Sequence, residues 1–168
     1  MSVLARIERF SVPRHLTDQL ITYLAQARDL ERLDLRLLDQ GVTSAKDDAV
    51  RDIYRSHERQ TAQQLASIEE LLNSRVAAPA AGNGHGVAGA LEIAFAADAA
   101  HTPTQLAISA YAFENLEIAV YHLLGHLAER CDDRATAAVV ARILEEEEQT
   151  AELLAATFDR ALAASLET

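Results

Sequence analysis

The chain has 168 residues, a formal net charge of -11, 49% hydrophobic and 24% charged residues, and one cysteine. This length suits a single domain, 1–168, with a substantial core, while the acidic balance and the lack of any Lys/Arg cluster exclude nucleic acid as a partner, because phosphate binding needs a basic patch. No apolar run is long enough to span a bilayer, the opening MSVLARIERFSVPRHL lacks the basic-then-apolar order of a secretory signal, and the lone Cys131 excludes an internal disulfide framework, so the expected setting is cytoplasmic with no membrane partner.

Ala, Leu, Glu and Arg dominate, all strong helix formers, and β-branched runs are short, which predicts an all-α protein. After an N-terminal segment, 1–14, the first helix is expected from near Leu16 to before Gly41. Its inner stripe would be Leu16, Leu20, Leu24, Ala27, Glu31, Leu35 and Leu38. GVTSAKDD supplies a turn, with Ser44 as N-cap of a second helix from Ala45 to about Asn73 that turns Val50, Tyr54, His57, Thr61, Leu65, Ile68 and Leu72 inward. The stretch 75–102 is a long crossover. It opens with VAAPAAGNGHG, a loop signal, and then carries a short apolar helix over about 87–97. Thr102 before Pro103 marks the start of a third helix, which runs to about Arg130 with Leu106, Ala110, Phe113, Glu117, Val120, Leu124 and Leu127 on one face. Asp132 or Asp133 caps a fourth, with the stripe Thr136, Val140, Ile143, Glu147, Thr150, Leu154 and Phe158. The short connections at Gly41 and Cys131 make two antiparallel hairpins. A four-helix bundle with one long crossover is the ferritin-like connectivity.

Each inner stripe is interrupted by an ionisable group: Glu31, His57, Glu117 and Glu147. Counted from the turn near Val42, Glu31 lies about eleven residues back and His57 about fifteen forward; from Cys131, Glu117 lies about fourteen back and Glu147 about sixteen forward, so at about 1.5 Å per residue the four share one level. Glu114 lies one turn from Glu117, and Glu146 and Gln60 flank their stripes. Within Glu145–Glu148 the phase favours Glu147 as the inward residue, although a rotation of one position would select Glu146. A single glutamate on a stripe more often reaches out to water at its edge, and a lone inward histidine is more often a hydrogen-bonded core residue. Four at a common level require relief, since an unpaired buried ion costs several kcal/mol. The possible remedies are a metal centre, shared protons, or pairing with Arg28, Arg32, Arg51, Arg55, Arg59 or Arg142. Carboxylates plus imidazole suit iron, manganese or zinc, and bridging carboxylates hold two cations. His122 and His126, four apart, lack further ligands for a zinc site, and His85 and His101 carry no motif.

TPTQLAISAYAFENLEIAVYHLL and ILEEEEQTAELL, with YLAQARDLERLDLRLL and SHERQTAQQLASIEELL before them, resemble the YciE/YciF-type group of ferritin-like proteins over about 16–166. The resemblance implies a commonly dimeric ferritin-like bundle, linked to stress responses, whose relatives can carry a two-metal carboxylate centre. By that resemblance the ligands are Glu31, His57, Glu114, Glu117 and one or both of Glu146 and Glu147. Two departures stand out. His57-Glu58-Arg59-Gln60-Thr61 has Gln60 where the pattern has Glu, and Glu114-Asn115-Leu116-Glu117 has Asn115 where the pattern has His. Gln60 offers an oxygen without charge, so the expected content is one or two ions, or none.

Three functions compete on these residues. The first is a metal-binding protein, with a non-haem iron oxidoreductase among its possible activities but no assignable reaction or small-molecule substrate. The second is a metal-free structural or interaction bundle with a degenerate site. The third is a small-ligand site, or a subunit contact, at the crossover helix around Phe95, with Glu92 and Asp98 its only charges.

Overall fold

Helix α1 runs Arg14–Ser44, α2 Asp48–Asn73, α3 Pro103–Arg130, α4 Arg134–Ala155 and α5 Phe158–Leu166. This computed structural model describes residues 12–75 and 102–166, and there is no strand among them. α1 packs along α2 and α3 along α4, forming the two hairpins, while α1 also packs on α3 and α2 on α4. The protein is an all-α four-helix bundle.

Its ends show how the hairpins are joined. Arg75, just beyond α2, bonds Asp133 and Thr136 at the start of α4. At the other end Arg160 reaches Asp47, ahead of α2, at 3.4 Å, and Thr104 of α3 meets Ser165 of α5 at 2.7 Å. α2 and α3 therefore run in the same direction, and residues 76–101 join opposite ends of the bundle. The short helix expected there, and the residues His85, Glu92, Phe95, Asp98 and His101, lie outside the described residues.

The helix starts follow local chemistry. Thr102 caps α3 in a reciprocal box: its hydroxyl accepts from Gln105 N at 3.3 Å, and its own N–H donates to Gln105 Oε1 at 2.9 Å. Asp133 accepts from Thr136 N at 3.0 Å. The cap of α2 is Asp47, which accepts from Val50 N at 3.0 Å, so the helix begins three residues later than Ser44 would place it. The fourth stripe was expected to continue through Phe158. Instead the chain turns at Ala156 and Thr157, where Thr157 Oγ1 donates to Leu154 O at 2.7 Å, and α5 packs along the first turns of α3. There the ring of Phe158 meets Tyr111 edge-on, with centroids 5.5 Å apart.

Gly41 does not end α1. The helix continues to Ser44, and a Cβ on Gly41 would lie 3.2–3.3 Å from ring atoms of the buried Tyr54. The glycine is there for close approach, not as a cap. Gly41→Leu is expected to cost about 1–3 kcal/mol through overpacking, and urea unfolding checks it; unchanged stability would mean that Tyr54 moves aside freely.

Two apolar clusters bracket a middle layer. One, towards Arg75, includes Leu20, Leu24, Ile68, Leu124, Val140 and Ile143. The other, towards Asp47, includes Leu38, Val50, Tyr54 and Leu154. The ionisable groups lie between them.

Candidate metal centre

Helix periodicity brings residues three apart onto one face, and two helices use this spacing for acids. α1 presents Glu31 and Asp34, and α3 presents Glu114 and Glu117. α2 adds His57 and α4 adds Glu147. All six are at most 3% exposed. Two overlapping sets have ligand atoms within 4.8 Å of one another: Asp34, His57 and Glu114, and Glu114, Glu117 and Glu147. Glu114 belongs to both.

His57 Nε2 lies 3.0 Å from Glu114 Oε1, 3.3 Å from Asp34 Oδ2 and 4.0 Å from Glu147 Oε2, yet it makes no hydrogen bond. The other ring nitrogen, Nδ1, is 3.4 Å from Thr150 Oγ1, which leaves Nε2 turned to the acids. Tyr121 donates its hydroxyl to Glu31 Oε1, and Thr61 donates to Asp34 Oδ2 at 3.0 Å. These contacts orient the set without neutralising it. Both oxygens of Glu114 and of Glu147, one oxygen of Glu117 and Glu31 Oε2 are buried without a hydrogen-bond partner. Such orphaned atoms are costly, because each forfeits its hydration with nothing in return.

Arginine does not supply the remedy. Arg28 pairs with Asp29, Arg32 with Glu69, Arg51 with Asp48, Arg55 with Asp52 and Arg142 with Glu146, and Arg59 is exposed. Glu146 lies beside the core and not in it: Arg142 Nη1 donates to its two oxygens at 2.9 and 3.0 Å, and Gln64 Nε2 to one of them at 3.0 Å. Of the acidic run, Glu147 is the inward member. Gln60 is half-buried beside His57, and its amide oxygen accepts from Thr150 at 3.4 Å. Asn115 is exposed and donates to Tyr111 O at 2.7 Å, pointing away from the buried group. Asp34 is the member that the apolar pattern hides. The stripe favoured Leu35, which is only half-buried, although the three-residue spacing from Glu31, repeated in Glu114 and Glu117, was a usable signal.

Burial raises the carboxyls. Glu31 rises from 4.5 to about 8, mainly through lost hydration, with the Tyr121 hydrogen bond opposing it and Asp34 adding to it. Glu147 rises from 4.5 to about 10 through burial and then Glu114. Asp34 and Glu117 shift the same way, burial first. For His57 burial favours the neutral ring, but contact with Asp34 and Glu114 outweighs it and holds the imidazole well above its usual range.

The raised values have a definite sign for stability. Groups whose folded pKa exceeds the unfolded one contribute stability that is complete below the unfolded pKa and lost as pH rises through the folded one. Metal-free protein is therefore expected to lose stability from about pH 4.5 upward, through about 8 for Glu31 and about 10 for Glu147. A bound cation needs deprotonated ligands, so stabilisation by metal is expected to grow over the same range. Thermal unfolding across pH, with chelator and with metal, checks both slopes; metal-free stability rising with pH would contradict the assignment.

The family described as Domain of unknown function (DUF892) matches residues 15–167. The chain belongs to it. This family membership agrees with the likeness to YciE/YciF-type sequences. Two solved structures are similar: the E. coli stress protein YciF, with a TM-score of 0.74 and 22% identity over 91% of this chain and 98% of that one, and a Xanthomonas campestris pv. campestris protein, with a TM-score of 0.70 and 24% identity over 91% and 97%. At those identities they establish the fold of this family member. No curated protein matches it. Among the described residues, no helix is long and apolar enough to cross a membrane.

Proposed function

We propose that this DUF892 protein is a ferritin-like metal-binding protein, its bundle core holding one or two cations bridged by carboxylates. One observation carries the reading: carboxylate oxygens and an imidazole nitrogen, buried and without hydrogen-bond partners, face one another at mid-bundle with ligand atoms within 4.8 Å. Hard oxygen donors with one nitrogen suit iron, manganese or zinc. The residues fit such ions. Asp34, His57 and Glu114 would hold one, and Glu114, Glu117 and Glu147 the other. Tyr121, Thr61 and Thr150 orient Glu31, Asp34 and His57, as outer contacts do around metal ligands. A reduced iron or manganese ion would supply electron transfer to an oxidant, and a stress-related role is carried over from the similar fold of the E. coli stress protein YciF.

Elemental analysis of freshly purified protein tests the proposal, together with thermal unfolding under added ferrous, manganous or zinc ions. Stoichiometric metal and a raised Tm are expected. The competing account is a bundle without metal, in which His57 and shared protons offset the acids; substoichiometric metal and an unmoved Tm would establish it instead.

A further inference from the structure

Between α1 and α3 a cavity of about 30 Å³ lies beside the acidic layer. Its walls are mainly apolar, with Leu37, Leu38, Leu106, Ala110 and Phe113 among them, and Asp34 also lines it. Gln40 is exposed and Ser109 and Ala110 are half-buried on this lining, whereas Asp34 and Phe113 are buried. The lining thus runs from the surface of the bundle to one of the candidate ligands.

We propose that this cavity is a docking site for a small apolar gas of the size of dioxygen, placed directly behind Asp34. Asp34 is the one charged group on the lining and its carboxylate is engaged by Thr61 and His57, so a cation would find few free ligands in the chamber, and an anion would meet the acidic layer. Apolar cavity surface of the kind that Leu37, Leu38, Leu106, Ala110 and Phe113 present takes up apolar atoms and molecules. A second cavity, of about 20 Å³ at the bundle end, has Lys46, Asp47 and Arg160 among its lining and does not include Asp34; its ionic rim favours water. Tyr54 and Leu106 line both and stand between the wet end and the apolar chamber. The docking rests on the cavity alone. Its bearing on chemistry rests on the metal reading, since Asp34 joins the chamber to His57 and Glu114.

The test uses the full chain with metal removed. Dissolved dioxygen is paramagnetic, so methyl groups beside a site it occupies relax faster. Under oxygen pressure the methyls of Leu38 and Ala110 are expected to show at least about threefold greater relaxation enhancement than those of Leu20 and Ile143 in the packed core. Ala110→Leu fills the chamber and should remove the excess at Leu38. Ser109→Leu, half-buried on the same lining, is a second variant that does not depend on core repacking, and it should reduce the excess likewise. Equal enhancement at all four wild-type methyls would overturn the proposal, as would a Leu38 excess that survives both substitutions. Metal content, measured on wild-type protein before chelation, separates the two claims. Excess relaxation without bound metal would leave the docking site and remove the metal centre; bound metal with no excess would do the reverse.

Discussion

Glu114→Gln is expected to abolish metal retention, and with it any stabilisation by added metal, if the proposed centre is right. Glu114 is the residue common to both sets of convergent ligand atoms, and neither of its oxygens has a hydrogen-bond partner. Glutamine keeps the volume and one oxygen but carries no charge, so each cation would lose a carboxylate from its ligand set. In wild-type protein, a hundredfold excess of cation over Kd should add about 3 kcal/mol to stability, read as a higher Tm. In the variant, metal content should fall to background and the shift should vanish, while the metal-free fold persists because a like charge has been removed. Full metal content in Glu114→Gln would place the ion elsewhere and overturn the assignment.

The second large effect has the opposite sign. Glu117→Met should stabilise the metal-free protein by about 1–4 kcal/mol, the range found when buried ionic groups are replaced by apolar side chains of similar volume. Glu117 is 1% exposed, and its carboxyl is raised by burial and then by Glu31, Asp34, Glu147 and Glu114. Methionine has nearly the same length, no polar atom to orphan, and enough flexibility to fill the space. Urea unfolding under chelator gives the comparison. A loss of stability would show that Glu117 is well satisfied where it lies. Paired with lost metal uptake, a gain would show that this carboxylate is kept for binding at the expense of the fold.

The bundle was legible in the sequence where single residues carry their own signal. Thr102-Pro103 starts α3 with chemistry confined to four residues, and the Ile143–Glu147–Thr150–Leu154 spacing, favoured over a rotation that would turn Glu146 inward, is the buried face of α4. Where the answer depends on a neighbour across the bundle, the sequence is silent or misleading. Gly41 looks like a helix end, and only the Tyr54 ring reveals why a glycine lies inside the helix. Asp34 and Leu35 are adjacent, so a small rotation of α1 decides which is buried, and packing on α2 and α3 sets that rotation. The same applies to Gln64 over Leu65 and to Tyr121 over Val120. Among the candidate ligands, His57, Glu114, Glu117 and Glu147 enter the two convergent sets, Glu31 is buried but in neither and bonds Tyr121, Glu146 pairs with Arg142, and Gln60 bonds Thr150 beside His57. Side-chain direction at a stripe's edge is not encoded by spacing alone.

The acidic layer also constrains how the halves align. Leucine and alanine faces tolerate sliding, because one aliphatic contact replaces another at little cost. His57 comes from one hairpin, and Glu114 and Glu147 from the other. Displacing α2 by a single turn, about 5.4 Å, would leave this imidazole among hydrocarbon and strand the opposing acids without their cationic neighbour. The polar level thus acts as a keyway that admits one alignment of two otherwise permissive surfaces.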